Sequence, residues 1–155
     1  MRRYNHFYYS RDKWPSQVSW LYLEFYHNIR KGISLDDVTK LLLNKQKNTL
    51  PFIYLGMVND ECIGTSSLVS NDLKERQDLT PWLAGLYIRK KYRGRGYAQK
   101  LINKVIETAA ELGVNTLYLR TESASNYYKR LGWKKIYETI DEFKLFTEVF
   151  EKELN

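Results

Sequence analysis

Six consecutive residues, Arg93, Gly94, Arg95, Gly96, Tyr97 and Ala98, carry the clearest chemical signal in this 155-residue chain. They follow a strand-like apolar run at residues 81–88 and open a periodic helical stretch. A basic, glycine-bearing turn ahead of a helix suits a pyrophosphate. The N–H groups of the first helical turn lack intrahelical acceptors, and the helix dipole favours negative charge there. Gly94 and Gly96 let the backbone approach phosphate oxygens closely. Arg93 and Arg95 add charged donors that match phosphate. Two familiar phosphate motifs do not fit. The dinucleotide fingerprint needs a third glycine where Gln99 stands, and a Walker loop ending in Gly-Lys-Ser/Thr is absent. Other chemistries have less to stand on. His6 and His27 have no metal-ligand spacing. Cys62 is the only cysteine and sits in a strand-like run, so it reads as a packing residue rather than a nucleophile.

A second segment narrows the choice. Ala124-Ser125-Asn126-Tyr127-Tyr128-Lys129-Arg130-Leu131-Gly132-Trp133 follows the next strand-like run. The first motif, Arg-x-x-Gly-x-Ala over residues 93–98, resembles the acyl-CoA pyrophosphate loop of the GNAT superfamily of N-acetyltransferases. The second resembles that family's later motif, an Ala, an apolar-Tyr pair, then Leu-Gly and an aromatic residue. Spacing and order both match, and the resemblance spans residues 50–137.

The resemblance implies an acetyl-CoA-dependent acyltransferase with no metal. Backbone N–H groups at Arg93, Gly94, Arg95, Gly96, Tyr97 and Ala98 would hold the pyrophosphate. Leu86, Tyr87 and Ile88 would bond the pantetheine amides through their backbones. Ala124 and Tyr128 would also contact the cofactor. Tyr128 would act as general acid toward the leaving thiolate, since thiol and phenol pKa values lie near one another. The chain departs from the family pattern twice. Thr121 stands where many members carry Asn, which replaces an amide donor by a hydroxyl and leaves its pantetheine contact open. The strand at 81–88 has no acid where many members place a basic Glu. Asp72, Glu75, Asp78 and Glu122 lie nearby in sequence, each reading first as a solvated loop charge.

The elements that must position these residues follow from periodicity. Residues 14–31 and 34–43 read as amphipathic helices, the first stopped by Gly32 and the second opened by a capping-box-like Ser34. Residues 1–13 read as an arm or short strand. Residues 51–58 and 62–69 read as a hairpin around Asn59-Asp60-Glu61. Gly85 within the run 81–88 signals a bulge or a close backbone approach. Residues 97–112 form the strongest helical pattern, ended by Gly113. Residues 115–121 are the next strand, and Ser123 is the expected cap of a short helix through Arg130. Residues 133–140 and 143–150 read as a closing hairpin around Asp141-Glu142. The fold class is α+β: a mixed, mostly antiparallel sheet flanked by helices. One right-handed parallel crossover runs through the 97–112 helix.

Composition bounds the rest. The length suits a single domain, residues 1–155, with a substantial core. No apolar run reaches membrane-span length, and the basic start has no apolar segment behind it to form a secretory signal. One cysteine excludes an internal disulfide and fits a reducing, cytoplasmic setting. The net charge is +7, and residues 89–100 hold six basic side chains and no acid. Such a patch attracts polyanions, CoA or nucleic acid alike. A nucleic-acid binder and a non-catalytic CoA-binding domain are the competing readings. Trp82, Arg120 and aromatics of the first helix are candidates to line the site of an amine acceptor. Assembly is open, with a homodimer among the options.

Overall fold

The computed structural model describes residues 7–10, 50–59 and 61–154. The helices expected over residues 14–31 and 34–43 lie outside the described residues. The described strands are β1 (Phe7–Ser10), β2 (Phe52–Val58), β3 (Glu61–Val69), β4 (Trp82–Ile88), β5 (Thr116–Thr121), β6 (Lys134–Ile140) and β7 (Phe146–Glu153). Two described helices, α1 (Tyr97–Glu111) and α2 (Ser125–Arg130), accompany them. Strand neighbours run β1-β2-β3-β4-β5-β7-β6. Among the described residues, β4 and β5 form a parallel pair, and α1 connects them. This is the α+β class expected. The chain divides into two compact units, Met1–Ser67 with Gly85–Asn103 and Leu68–Ala84 with Lys104–Asn155.

In the first unit, β1 pairs antiparallel with β2, from Phe7↔Val58 to Ser10↔Leu55. The hairpin between β2 and β3 turns through Asn59 at φ 51, a left-handed conformation that Asn tolerates. Residues 62–68 of β3 are all buried, as in a strand covered on both faces. Burial there would strand polar groups without partners. The Thr65 hydroxyl donates to Tyr54 O at 3.1 Å, and the Ser66 hydroxyl donates to Leu101 O of α1 at 3.1 Å. Gly64 marks the closest approach: a Cβ built there would stand 2.4 Å from Tyr87 O and 2.8 Å from Ile88 Cδ1. Only hydrogen fits between β3 and β4 at that point.

In the second unit, Trp82 of β4 pairs with Tyr118 of β5, and Tyr118 N–H donates to Pro81 O at 3.1 Å. A core of Leu73, Trp82 and Val149 forms here, with Val69, Leu79, Tyr118, Ile136 and Tyr137 packed against it. Strand β7 lies between β5 and β6, antiparallel to both. A register shift between Lys135 and Tyr137 bulges β6.

The closing hairpin differs from its sequence reading. Its second strand starts at Phe146 rather than at residue 143. The Asp141 carboxylate accepts the N–H groups of Phe143 (2.8 Å) and Leu145 (2.9 Å), which takes them out of any ladder. Lys144 then turns the chain at φ 63. Trp133 likewise belongs to the helix exit, because its N–H donates to Tyr128 O at 3.0 Å. Helix α1 follows its pattern: Leu101, Ile102, Val105 and Ala109 are buried, and Gly113 at φ 79 ends it.

Replacing Gly64 by Ala should destabilise the protein by about 1–3 kcal/mol, the usual cost of forcing atoms into a filled site. Urea denaturation measures it, and an unchanged midpoint would mean that β3 and β4 can part at no cost.

Candidate active site

The loop at residues 93–98 leaves a 3-10 turn, Lys90–Tyr92, and enters α1. Gly94 (φ +76) and Gly96 (φ +83) both adopt the left-handed conformation that costs other residues about 1–2 kcal/mol. A Cβ on either would meet nothing within 4 Å, so both face open space. The first helical hydrogen bond runs from Lys100 N–H to Gly96 O at 3.3 Å. The N–H groups of Tyr97, Ala98 and Gln99 therefore lie ahead of the helical ladder. An open cradle of glycines and early helical N–H groups fits a pyrophosphate.

The side chains around it are partly committed. Arg93 Nε donates to Ile88 O at 2.8 Å, and its guanidinium stands 5.4 Å from the Tyr87 ring centroid. Arg95 lies over the Tyr92 ring at 5.6 Å. Tyr97 is buried and stacks on Phe7 at 5.3 Å, so it offers the loop its backbone and not its hydroxyl. Leu86 and Tyr87 are half-buried, and Ile88 is buried with its carbonyl already accepting from Arg93. Gly85, just before them, sits at φ 59, consistent with the expected irregularity in the strand.

Thr121, Ala124 and Tyr128 fall in the second unit, linked in series. Thr121 Oγ1 accepts from Ala124 N–H at 2.9 Å and from Ser123 N–H at 3.4 Å. Ala124 O then accepts from Tyr128 N–H at 3.2 Å. Ser123 is therefore not the cap of α2. Ala124 occupies that position with no side-chain cap, and Thr121 does the anchoring from the end of β5. The Tyr128 ring is buried against Trp133 (6.2 Å) and Phe150 (6.4 Å). Burial, with lesser repulsion from Tyr127 and Glu122, holds its phenol well above the ordinary tyrosine value. An open polar cavity of about 580 Å³ beside α2 is lined by Glu122, Ser123, Asn126, Tyr127, Arg130 and Glu148 among others.

Two acceptor-site candidates are corrected. Trp82 is completely buried, its Nε1 donating to Leu79 O at 2.6 Å. The Arg120 side chain is 3% exposed and pairs with the fully buried Asp141 carboxylate at 2.7 Å. Both residues hold the second unit together and neither lines an open site. For Trp82, the run of buried residues that opens β4 could have signalled this; Arg120 lies on the β5 face opposite buried Leu117 and Leu119, and its burial had no local signal. The acids considered as bases are also engaged. Asp78 pairs with Arg76 at 2.9 Å, and Glu75 accepts from the Tyr137 hydroxyl at 2.9 Å. Asp72 and Glu122 stand 4.0 and 3.6 Å from Arg120. Cys62 is fully buried and its thiol is pushed up to about 11, mainly by desolvation, so it is not a thiolate at neutral pH. Two residues that organise the loop's surroundings, Gly64 and Glu61, were missed. An isolated glycine in a strand is a signal for close approach; Glu61 gave none.

The described sheet holds a parallel pair, and a left-handed glycine loop opens the helix that connects it. The chain belongs to the acetyltransferase (GNAT) family, whose model matches residues 12–133. It is similar to N-alpha-acetyltransferase 30 of Schizosaccharomyces pombe, 31% identical over 93 residues, covering 56% of this chain and 61% of that protein. N-alpha-acetyltransferase MAK3 of Arabidopsis thaliana is 30% identical over 103 residues, covering 59% of this chain and 53% of that one. The match thus spans roughly three fifths or less of either curated relative. The fold is that of yncA from Salmonella typhimurium, solved with its cofactor acetyl-CoA, at a TM-score of 0.71 and 14% identity over 99% of this chain and 95% of that one. Among the described residues no helix is long and apolar enough to cross a membrane.

Removing Asp141 takes away the short contact of the buried Arg120 guanidinium and leaves it only long contacts to Asp72, Glu122 and Glu142. Asp141→Ala should cost about 3–5 kcal/mol, read from chemical denaturation. A loss below about 1 kcal/mol, the range of exposed pairs, would show the pair to be solvent-screened.

Proposed function

We propose that this chain transfers the acetyl group of acetyl-CoA to a primary amine of a small molecule or a protein, by direct attack in a ternary complex. One domain in the cytoplasm carries the reaction. The observation that supports it most is the loop: two left-handed glycines facing open space at the start of a 15-residue helix, flanked by Arg93 and Arg95. Bound there, acetyl-CoA supplies an acyl group already activated as a thioester. The protein's own work is to fix it, through the loop N–H groups and the backbone of Leu86, Tyr87 and Ile88, with further contacts from Thr121, Ala124 and Tyr128.

Tyr128 holds a proton at its hydroxyl oxygen for the departing sulfur. Its raised pKa keeps that proton in place throughout the physiological range. It also makes full transfer to a thiolate uphill unless the sulfur is equally desolvated, so hydrogen-bonding as charge develops is the better description. The names of the curated relatives make protein N-terminal amines the first acceptor class to screen.

Calorimetry with acetyl-CoA tests the cofactor. Wild type should bind at micromolar Kd, and Gly96→Glu should abolish binding; Gly96→Ala separates backbone strain from charge, with a penalty of about 1–2 kcal/mol. A wild type that binds no acetyl-CoA, yet binds RNA with steep salt dependence, would replace this reading by nucleic-acid binding.

Tyr128→Phe tests the acid. It should lower kcat by about 10²-fold while leaving the acetyl-CoA Kd within a factor of two. Because the phenol pKa is raised, wild-type kcat should show no alkaline limb from Tyr128 below about pH 10, the unperturbed tyrosine value. An unchanged kcat in the variant would leave a CoA-binding domain in which Tyr128 only packs.

A further inference from the structure

The basic stretch at residues 89–100 contains no acid in sequence, yet the fold supplies one. Glu61, the first residue of β3, reaches across to the turn that precedes the loop. Its Oε1 lies 2.6 Å from Arg89 Nη1 and 3.3 Å from Lys91 Nζ. Its Oε2 accepts from the Tyr92 hydroxyl at 2.5 Å. One carboxylate thus engages three of the four residues immediately before Arg93.

The register that delivers Glu61 is fixed two and three residues away. Arg89 N–H donates to Ile63 O at 2.8 Å, and Gly64 admits Tyr87 O. The turn so held is itself closed by Tyr92 N–H to Arg89 O at 2.8 Å and Arg93 N–H to Lys90 O at 3.2 Å. Beyond it, the Tyr92 ring sits under Arg95 at 5.6 Å and near Tyr97 at 6.3 Å. Glu61 therefore bears on the loop through Tyr92, and on its charge through Arg89 and Lys91.

We propose that Glu61 is the positioning and selectivity residue of the CoA loop: it locks the turn from which residues 93–98 depart, and it neutralises Arg89 and Lys91, so that a phosphate group meets the loop and not an undivided basic patch. The inference rests on the loop's role as the pyrophosphate site. Hydrogen bonding from Tyr92, with the charges of Lys91 and Arg89, holds the Glu61 carboxyl below its ordinary value, so it is ionised wherever the enzyme works. The two parts of the role predict opposite signs for two kinds of anion. Loosening the turn weakens a ligand that needs defined N–H geometry. Unmasking two cations strengthens any polyanion that needs only charge.

The test compares acetyl-CoA with poly(U) RNA on the full chain, using wild type, Glu61→Gln and Tyr92→Phe. Glu61→Gln should raise the acetyl-CoA Kd and KM about tenfold, leave kcat at saturation unchanged, and tighten poly(U). Its salt slope, d log K/d log[salt], should steepen by about 1–2, the signature of two further cations. Tyr92→Phe removes one hydrogen bond and no charge, so it should weaken acetyl-CoA and leave poly(U) as in wild type. Affinities for both ligands rising together in Glu61→Gln would reduce Glu61 to a charge mask and overturn the positioning role. Equal acetyl-CoA affinity in all three proteins would overturn this inference alone. Absence of acetyl-CoA binding by wild type would overturn the loop assignment with it.

Discussion

The first unit depends on how closely β3 and β4 can approach. Tyr87 O occupies the space that any side chain at residue 64 would claim. That contact sets where the end of β4 lies against β3, and the Arg89–Ile63 hydrogen bond carries the register onward. Glu61 then meets the 3-10 turn, and the turn aims the loop. The glycines of the loop need left-handed backbone, which folding supports only if the flanking segments are already fixed. The glycine loop is in this sense the last link of a chain that begins with a missing methyl group.

The second unit uses a different device. Its turn, its 70s loop and the end of β5 converge on the Arg120 guanidinium, with Asp141 inside and Asp72, Glu122 and Glu142 around it. Two of its nitrogens, Nε and Nη1, have no hydrogen-bond partner among the described residues. A buried guanidinium held by one short contact and three long ones fixes geometry more than it adds stability. Thr121, next in sequence, passes that order to α2 through Ala124.

Much of this was legible beforehand for physical reasons. Period 3.6 identified α1, glycines set between basic residues marked the loop, and the two family motifs identified the fold. What was not legible depended on contacts distant in sequence. Ser123 has the right chemistry for a cap, but Thr121 is held in place by β7 and reaches the N–H groups first. Asp141 was read as a turn residue, and its second role as a buried counter-ion removed Phe143 and Leu145 from the strand. Arg120 was read as a candidate to line the acceptor site because no local pattern reveals a partner 21 residues away. Glu61 lies 31 residues from Tyr92, at the start of β3, and nothing local links the two. The site residues of the two units carry the same lesson: motifs locate chemistry, while long-range pairs set its geometry.

The buried state of Cys62 has a practical side. It is the chain's only sulfhydryl, it has no exposed surface, and its pKa of about 11 suppresses the reactive thiolate. Released CoA carries a free, solvated thiol. On the proposed acetyl transfer, a chromogenic disulfide reagent would therefore count released CoA against a protein whose own buried thiol stays silent.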